Sequence, residues 1–85
     1  MTEKKIPKIL LCGWISPKGD IHHALPREQE RISDALCREL YGVSIPLPGE
    51  YLLEQGWVRV RPMGQVEYRH NPTKQQIAAM KEYEL

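Results

Sequence analysis

The chain has 85 residues, 41% of them hydrophobic and 27% charged, and a formal net charge of +1 at pH 7. This length predicts one small domain, residues 1–85, with a core too small to enclose a large substrate pocket. The near-neutral charge argues against strong attraction of the whole molecule to nucleic acid, and no apolar run approaches the ~20 residues of a membrane span. We therefore expect a cytoplasmic protein without a membrane partner, in which Cys12 and Cys37 are reduced thiols.

The first predicted elements form a β-hairpin. Residues 1–8 are polar and predict a loose N-terminal segment, which is followed by strands over about 9–16 and 20–25. Between the strands, Pro17 fixes φ and Gly19 favours a left-handed conformation, so "SPKGD" predicts a three-residue loop. One face of this hairpin is apolar and carries Ile9, Leu11, Ile15, Ile21 and Leu25. The opposite face carries Cys12, Trp14, Ser16, Asp20, His22 and Ala24.

A long amphipathic helix is predicted over 26–41. Pro26 is tolerated in a first helical turn, apolar residues follow at four-residue spacing, and Gly42 ends the helix. Its charged face, including Ser33 and Asp34, is predicted to be solvated. The connection "VSIPLPGE" either forms a partner-binding lip or packs under this helix, which we favour, and it leads to a short helix near 50–55.

The second hairpin and the last helix repeat this order. Strands are predicted over 57–61 and 65–70, joined by a loop at 62–64, with Val58, Val60, Val66 and Tyr68 on the inner face. Thr73, with Gln76 three residues later, has the spacing of a capping box and predicts a helix over 74–84. The core-facing residues of that helix are predicted to be Ile77, Met80 and Leu85.

The predicted fold class is α+β, in the order ββααββα. Two β-hairpins contribute a four-stranded antiparallel sheet, and the helices are expected to pack on one face of it. The uncovered face would then carry both tryptophans beside basic residues. We predict a partner-binding surface there, formed by Trp14, His22, Trp57, Arg59, Arg61 and Arg69.

Four interpretations of that surface remain open. Exposed aromatics beside arginines suit a hot spot for a protein partner, and they also suit stacking on bases with phosphate contacts. Alternatively, the tryptophans fill gaps in the sheet while Arg59–Glu67 and Trp57–Arg69 form ordinary cross-strand pairs. A homodimer that buries this face would satisfy the same pattern.

No catalytic or metal motif accompanies these residues. Adjacent strand residues point to opposite faces, so His22 and His23 cannot easily hold one ion, and His23 is predicted to be a core histidine bonded to the backbone. A site of Cys12, His22 and Cys37 would require the helical cysteine to reach around the sheet. The chain has no nucleophile elbow, phosphate loop or zinc spacing. We therefore predict no enzyme activity, cofactor or metal.

The order of "GWISPKG", the 26–41 helix, "YLLEQGWVRV" and "TKQQI" resembles short uncharacterised proteins of Gram-positive phages and mobile elements. Those proteins share a W-[IL]-x-P-x-G start, an amphipathic helix, an L-x-x-x-G-W-[VI] segment and a terminal [LP]-T-x-x-Q helix. Many carry a histidine near the start of the first helix, where this chain has Gln29. The resemblance therefore transfers no functional residue.

The function expected from these observations is that of a non-catalytic interaction protein. The resemblance implies a phage or mobile-element product that binds and inhibits a host protein, such as a CRISPR nuclease or another defence component. The alternative is a small nucleic-acid-binding regulator that uses the same tryptophan and arginine residues.

Overall fold

The structure, a computed structural model, describes residues 12–24, 31–45 and 47–83. These residues form an α+β fold in the predicted order. The elements are β1 (Cys12–Ile15), β2 (Ile21–Ala24), α1 (Asp34–Tyr41), α2 (Gly49–Glu54), β3 (Val58–Arg61), β4 (Gln65–Glu67) and α3 (Lys74–Met80), with short 3₁₀ turns at Pro62–Gly64 and Lys81–Tyr83.

The strands form one antiparallel sheet in the order β2-β1-β3-β4. The first hairpin has the predicted register, with Trp14 opposite His22, because the three-residue loop closes as expected. The backbone N–H of Ser16 donates to the carbonyl of Asp20 at 2.9 Å, and Gly19 has a φ of 91°. Pairing of β1 with β3 joins the two hairpins. The predicted strand residues 9–11 and 25 lie outside the described residues.

The second hairpin also has the predicted register but is shorter than predicted. Arg61 lies opposite Gln65, and β4 ends at Glu67 rather than at residue 70. Val66 lies opposite Val60 and so on the predicted face of the sheet. It is nevertheless 41% exposed, and Tyr68, which follows β4, is 47% exposed, so the predicted burial of these two residues is wrong. β4 is an edge strand. Helix α3 packs against β1, which is two strands away from β4, and so leaves this edge uncovered.

The helices cover both faces of the sheet, so the prediction that they pack on one face is wrong. One core cluster joins the Trp14 face of the sheet to buried residues from the α1 and α2 regions: Ile32, Leu36, Cys37, Leu52 and Leu53. A second cluster joins Ile15, Val58 and Val60 to Ala79 of α3 and to Tyr83. The large indole surfaces on the first face require burial as much as the aliphatic residues on the second.

Helix α1 begins later than the predicted residue 26. Ser33 is its N-cap, and the Ser33 hydroxyl oxygen accepts a hydrogen bond from the N–H of Leu36 at 3.2 Å. Upstream of the cap, the Ile32 N–H donates to the Leu47 carbonyl at 3.0 Å, so this segment pairs with the connection before α2 instead of continuing the helix. A serine that can cap a helix favours an end over an interior position. Residues 25–30 lie outside the described residues.

Gln76 connects α3 to the sheet through a buried amide. Its Oε1 accepts from the Thr73 N–H at 2.9 Å, and the Thr73 hydroxyl oxygen accepts from the Gln76 N–H at 3.1 Å, so the predicted capping box is confirmed. The Nε2 of Gln76 donates to the carbonyl of Gly56 at 2.7 Å and approaches that of Ile15 at 3.4 Å. The Thr73 hydroxyl donates to the Pro17 carbonyl at 2.9 Å. Ile77, predicted to be core, is exposed.

Tyr83 closes the second cluster above Gly13. A Cβ placed on Gly13 would lie 2.5 Å from the Tyr83 hydroxyl oxygen, so only glycine leaves room for the phenol. The hydroxyl lies 3.2 Å from Nδ1 of His23. His23 is an exposed residue in contact with this phenol, which corrects its predicted place in the core. Burial, with smaller contributions from Cys12 and Glu82, raises the pKa of Tyr83 to about 12.

We predict that Gln76→Ala lowers the free energy of unfolding by about 2–4 kcal/mol, because it removes three hydrogen bonds and leaves buried partners unpaired. The neighbouring Gln75 is exposed, so Gln75→Ala is a matched control that should change stability by no more than about 0.5 kcal/mol. Urea unfolding of both variants measures the difference. Equal effects would show that the buried amide does not connect helix and sheet.

The raised pKa of Tyr83 predicts a loss of stability at high pH. An unfolded tyrosine ionises near pH 10, whereas the folded hydroxyl keeps its proton to about pH 12. The stabilisation is therefore complete below pH 10 and is lost as the pH rises toward 12, by about 2–3 kcal/mol in all. Unfolding measured across this interval should show a smaller decline for Tyr83→Phe than for Tyr68→Phe. The same decline in both variants would contradict the assignment.

Candidate interaction surfaces

The centre of the predicted binding face is a buried stack of Arg59 on Trp14. The two residues are cross-strand partners in β1 and β3, and the guanidinium carbon lies 5.2 Å from the centre of the indole ring. Each residue is only 1% exposed, since α1 and α2 cover them. The prediction that this face is open to a partner is therefore wrong for these two residues.

The charge of Arg59 is balanced by carboxylates at the margin of the core. Nη2 lies 3.7 Å from Glu50 Oε1, and Nη1 lies 3.6 Å from Glu67 Oε1. The second contact is the predicted cross-strand pair. Within the described part of the chain, Nε and Nη2 of Arg59 and Nε1 of Trp14 are buried donors without a hydrogen-bond partner. A cation–π contact and two longer ion pairs thus hold this arginine in place.

Arg61 and Arg69 lie near the surface, where each has a carboxylate partner. Arg61 Nη2 lies 3.6 Å from Glu67 Oε1, so Glu67 joins the two arginines of β3. Arg69 follows β4 and pairs with Glu54 of α2. The predicted Trp57–Arg69 cross-strand pair is therefore wrong, because β4 ends before Arg69.

Trp57 and His22 meet at the margin of the first core cluster. Trp57 is 7% exposed, and the centres of the two rings are 5.5 Å apart with a tilt of 43°. Nδ1 of His22 lies 3.6 Å from Glu39 Oε2, which joins the edge strand β2 to α1. The structure thus places Trp14, Trp57 and Arg59 in the core and leaves His22, Arg61 and Arg69 partly accessible.

A cleft of about 400 Å³ opens beside His22, between the first hairpin and α1. We call it the His22 cleft. The residues that line it include Ser16, Asp20, His22, Glu39, Leu40 and Trp57. A neighbouring pocket of about 190 Å³, which we call the smaller lobe, shares His22 and Glu39 with the cleft and is also lined by Trp14 and Ser33. The cleft therefore combines an aromatic wall with two carboxylates and one lysine, Lys18.

The sequence interpretation missed a cluster of exposed apolar side chains around the end of α1. We call it the tyrosine patch, and it consists of Tyr41, Val43, Ile45 and Tyr51, which are 38–53% exposed. The rings of Tyr41 and Tyr51 contact edge to face, with centres 6.2 Å apart. Val43 and Ile45 belong to the connection for which a partner-binding lip was one alternative. Among the described apolar residues of that connection, Leu47 packs against the core whereas Val43 and Ile45 are exposed, so the favoured prediction of packing is confirmed for Leu47 and wrong for the other two.

The backbone of the tyrosine patch is anchored from beneath. The Cys37 thiol donates to the Ile45 carbonyl at 3.1 Å, and the Gly42 N–H donates to the Arg38 carbonyl at 2.9 Å to end α1. Burial, followed by the neighbouring Tyr51, raises the pKa of Tyr41. Tyr41 is thus neutral at physiological pH, and the connection that follows it is held to α1 by the Cys37 hydrogen bond.

The described residues offer little for metal or thiol chemistry. In ranges 12–24, 31–45 and 47–83, no three His, Cys, Asp or Glu side chains lie close enough together to hold a metal ion. Cys12 and Cys37 are free and buried. None of the helices in this part of the chain is long and apolar enough to cross a membrane.

Comparison of the chain with profiles of protein families, with curated proteins and with solved structures found no match in any of the three. The geometry of the tyrosine patch and the His22 cleft is therefore the basis for a functional proposal.

Because the structure buries both tryptophans, their substitution is expected to lower the stability of the fold. We predict that Trp57→Ala lowers the free energy of unfolding by about 3–5 kcal/mol, as expected for a large core side chain. Arg69→Ala should cost no more than about 1 kcal/mol, because its ion pair with Glu54 is exposed. Chemical denaturation of both variants distinguishes the two. A Trp57→Ala protein as stable as the wild type would show that Trp57 lies on the surface.

Proposed function

We propose that this chain is a non-catalytic interaction protein that binds a protein partner through the tyrosine patch. The observation that carries the proposal is the contact between the exposed rings of Tyr41 and Tyr51, with Val43 and Ile45 exposed on the connection that follows Tyr41. Grouped exposed apolar side chains mark protein-binding sites more often than scattered ones do. Tyrosine is enriched at such sites because its ring buries much surface while its hydroxyl still forms hydrogen bonds.

The anchoring of the patch also supports protein binding. Cys37 holds the carbonyl of Ile45, and Gly42 ends the helix in a left-handed conformation with a φ of 77°. A surface that is already ordered loses little conformational entropy when a partner covers it. The patch is therefore suited to rigid docking rather than to folding on binding.

The proposed partner is a host protein. The resemblance of the Gly-Trp and Thr-x-x-Gln segments to phage and mobile-element proteins supports an accessory role, in which the chain binds and inhibits a CRISPR nuclease or another defence component. Binding of nucleic acid by stacking is less well supported, because Trp14 and Trp57 are buried and cannot stack on bases as they stand.

The double variant Tyr41→Ala/Tyr51→Ala tests the proposal. Tagged protein is used to capture partners from a Gram-positive host lysate, and bound proteins are quantified by mass spectrometry. We predict that a protein captured by the wild type is lost at least about tenfold in the double variant, because interface tyrosines contribute strongly to affinity.

The matched control is Tyr68→Ala, which removes an equally exposed tyrosine next to β4. It should capture the partner as the wild type does. Equal capture by the double variant, or capture of nucleic acid in place of a protein, would contradict the proposal. Thermal unfolding of the three proteins checks that the substitutions leave the fold intact.

A further inference from the structure

The His22 cleft has the size of a ligand site and contains carboxylates with free capacity. Its volume of about 400 Å³ falls in the range of ~300–1,000 Å³ that is usual for small-ligand pockets. Glu39 lies 3.6 Å from His22, which is longer than a hydrogen bond. Among the described residues, neither Glu39 nor Asp20 pairs with a lysine or an arginine.

The walls of the cleft suit a cation carried on an aliphatic stem. His22 and Trp57 supply an aromatic wall, and Leu40 with Pro17 supplies apolar surface. Aromatic faces attract cations, and carboxylates bind the planar guanidinium group with paired hydrogen bonds. Lys18, which also lines the cleft, lies on the hairpin turn, and its long side chain can extend into solvent.

The smaller lobe adds an independent indication of a ligand. Trp14 lines this lobe, is 1% exposed, and its Nε1 has no hydrogen-bond partner among the described residues. A buried donor without an acceptor is costly, so an acceptor brought to Nε1 would be favoured. Because this nitrogen is buried, a side chain that lines the lobe has to move before an acceptor can reach it. Ser33, His22 and Glu39 also line this lobe.

The geometry points to an arginine residue of a peptide segment as the ligand of this cleft. Its guanidinium lies between Glu39 and Asp20, and its aliphatic stem lies along Leu40 and Trp57. Once a side chain that lines the smaller lobe has moved, a peptide carbonyl there accepts from Trp14 Nε1. The site is separate from the tyrosine patch. It can therefore be tested on the isolated full-length chain without any partner protein.

The test is a nuclear magnetic resonance titration of the full-length chain, followed through the two indole N–H signals. The ligands are N-acetylarginine methylamide, its neutral citrulline counterpart, and methylguanidine. We expect saturable shifts of both indole signals with the arginine compound. Citrulline should produce no saturable shift, and methylguanidine should bind at least about tenfold more weakly because it lacks the stem and carbonyl.

Variants at the rim separate specific binding from general attraction. Glu39→Gln and Asp20→Asn should each weaken the arginine compound by about tenfold, since each removes a charged acceptor. Glu82→Gln makes the same change in charge outside the cleft and should leave affinity within about twofold. All three positions are exposed, and matching backbone spectra confirm that the variants stay folded.

Four results would overturn the inference. The first three are an arginine titration that does not saturate, equal binding of arginine and citrulline, and equal effects of Glu39→Gln and Glu82→Gln. Methylguanidine that binds as tightly as the arginine compound would also overturn it, because the ligand would then be a free guanidine rather than a peptide residue. None of these results depends on whether the tyrosine patch captures a protein.

Discussion

The packing of both faces of the sheet depends on the stack of Arg59 on Trp14. This stack lies where β1 and β3 join the hairpins, and it is covered because α1 and α2 pack over it. Glu50 and Glu67 balance its charge from the rim. Once this face belongs to the core, the centre of the sheet is buried on both sides. The two binding sites that we propose therefore lie on helix surfaces and in a cleft rather than on the sheet.

Helix α1 contributes to both candidate sites. Its Glu39 faces His22 across the cleft, while Tyr41 begins the tyrosine patch. The helix is fixed at one end by the Ser33 cap and at the other by Gly42. Gln76 and Thr73 hold the first hairpin from the opposite face, so both walls of the His22 cleft are anchored to the core.

Local chemistry predicted the hairpin registers and the capping box, because Pro17, Gly19 and Thr73 determine them within a few residues. Burial of the Trp14 face was not predictable in this way. Arginine, histidine and serine mark a strand face as polar, yet Arg59 is buried by stacking and distant carboxylates. The start of α1 depended on pairing of Ile32 with Leu47, a tertiary contact that periodicity cannot show. The tyrosine patch likewise could not be predicted, because it depends on where the fold places the connection between α1 and α2.

Quenching of tryptophan fluorescence by iodide tests the burial of the Trp14 face most directly, because iodide reaches only accessible indoles. With Trp14 at 1% and Trp57 at 7% exposure, the folded chain should be quenched far less than the urea-unfolded chain, and its emission should be shifted to the blue. Equal quenching in the folded and unfolded chains would contradict the account, because it would show that the Trp14 face of the sheet is exposed to solvent.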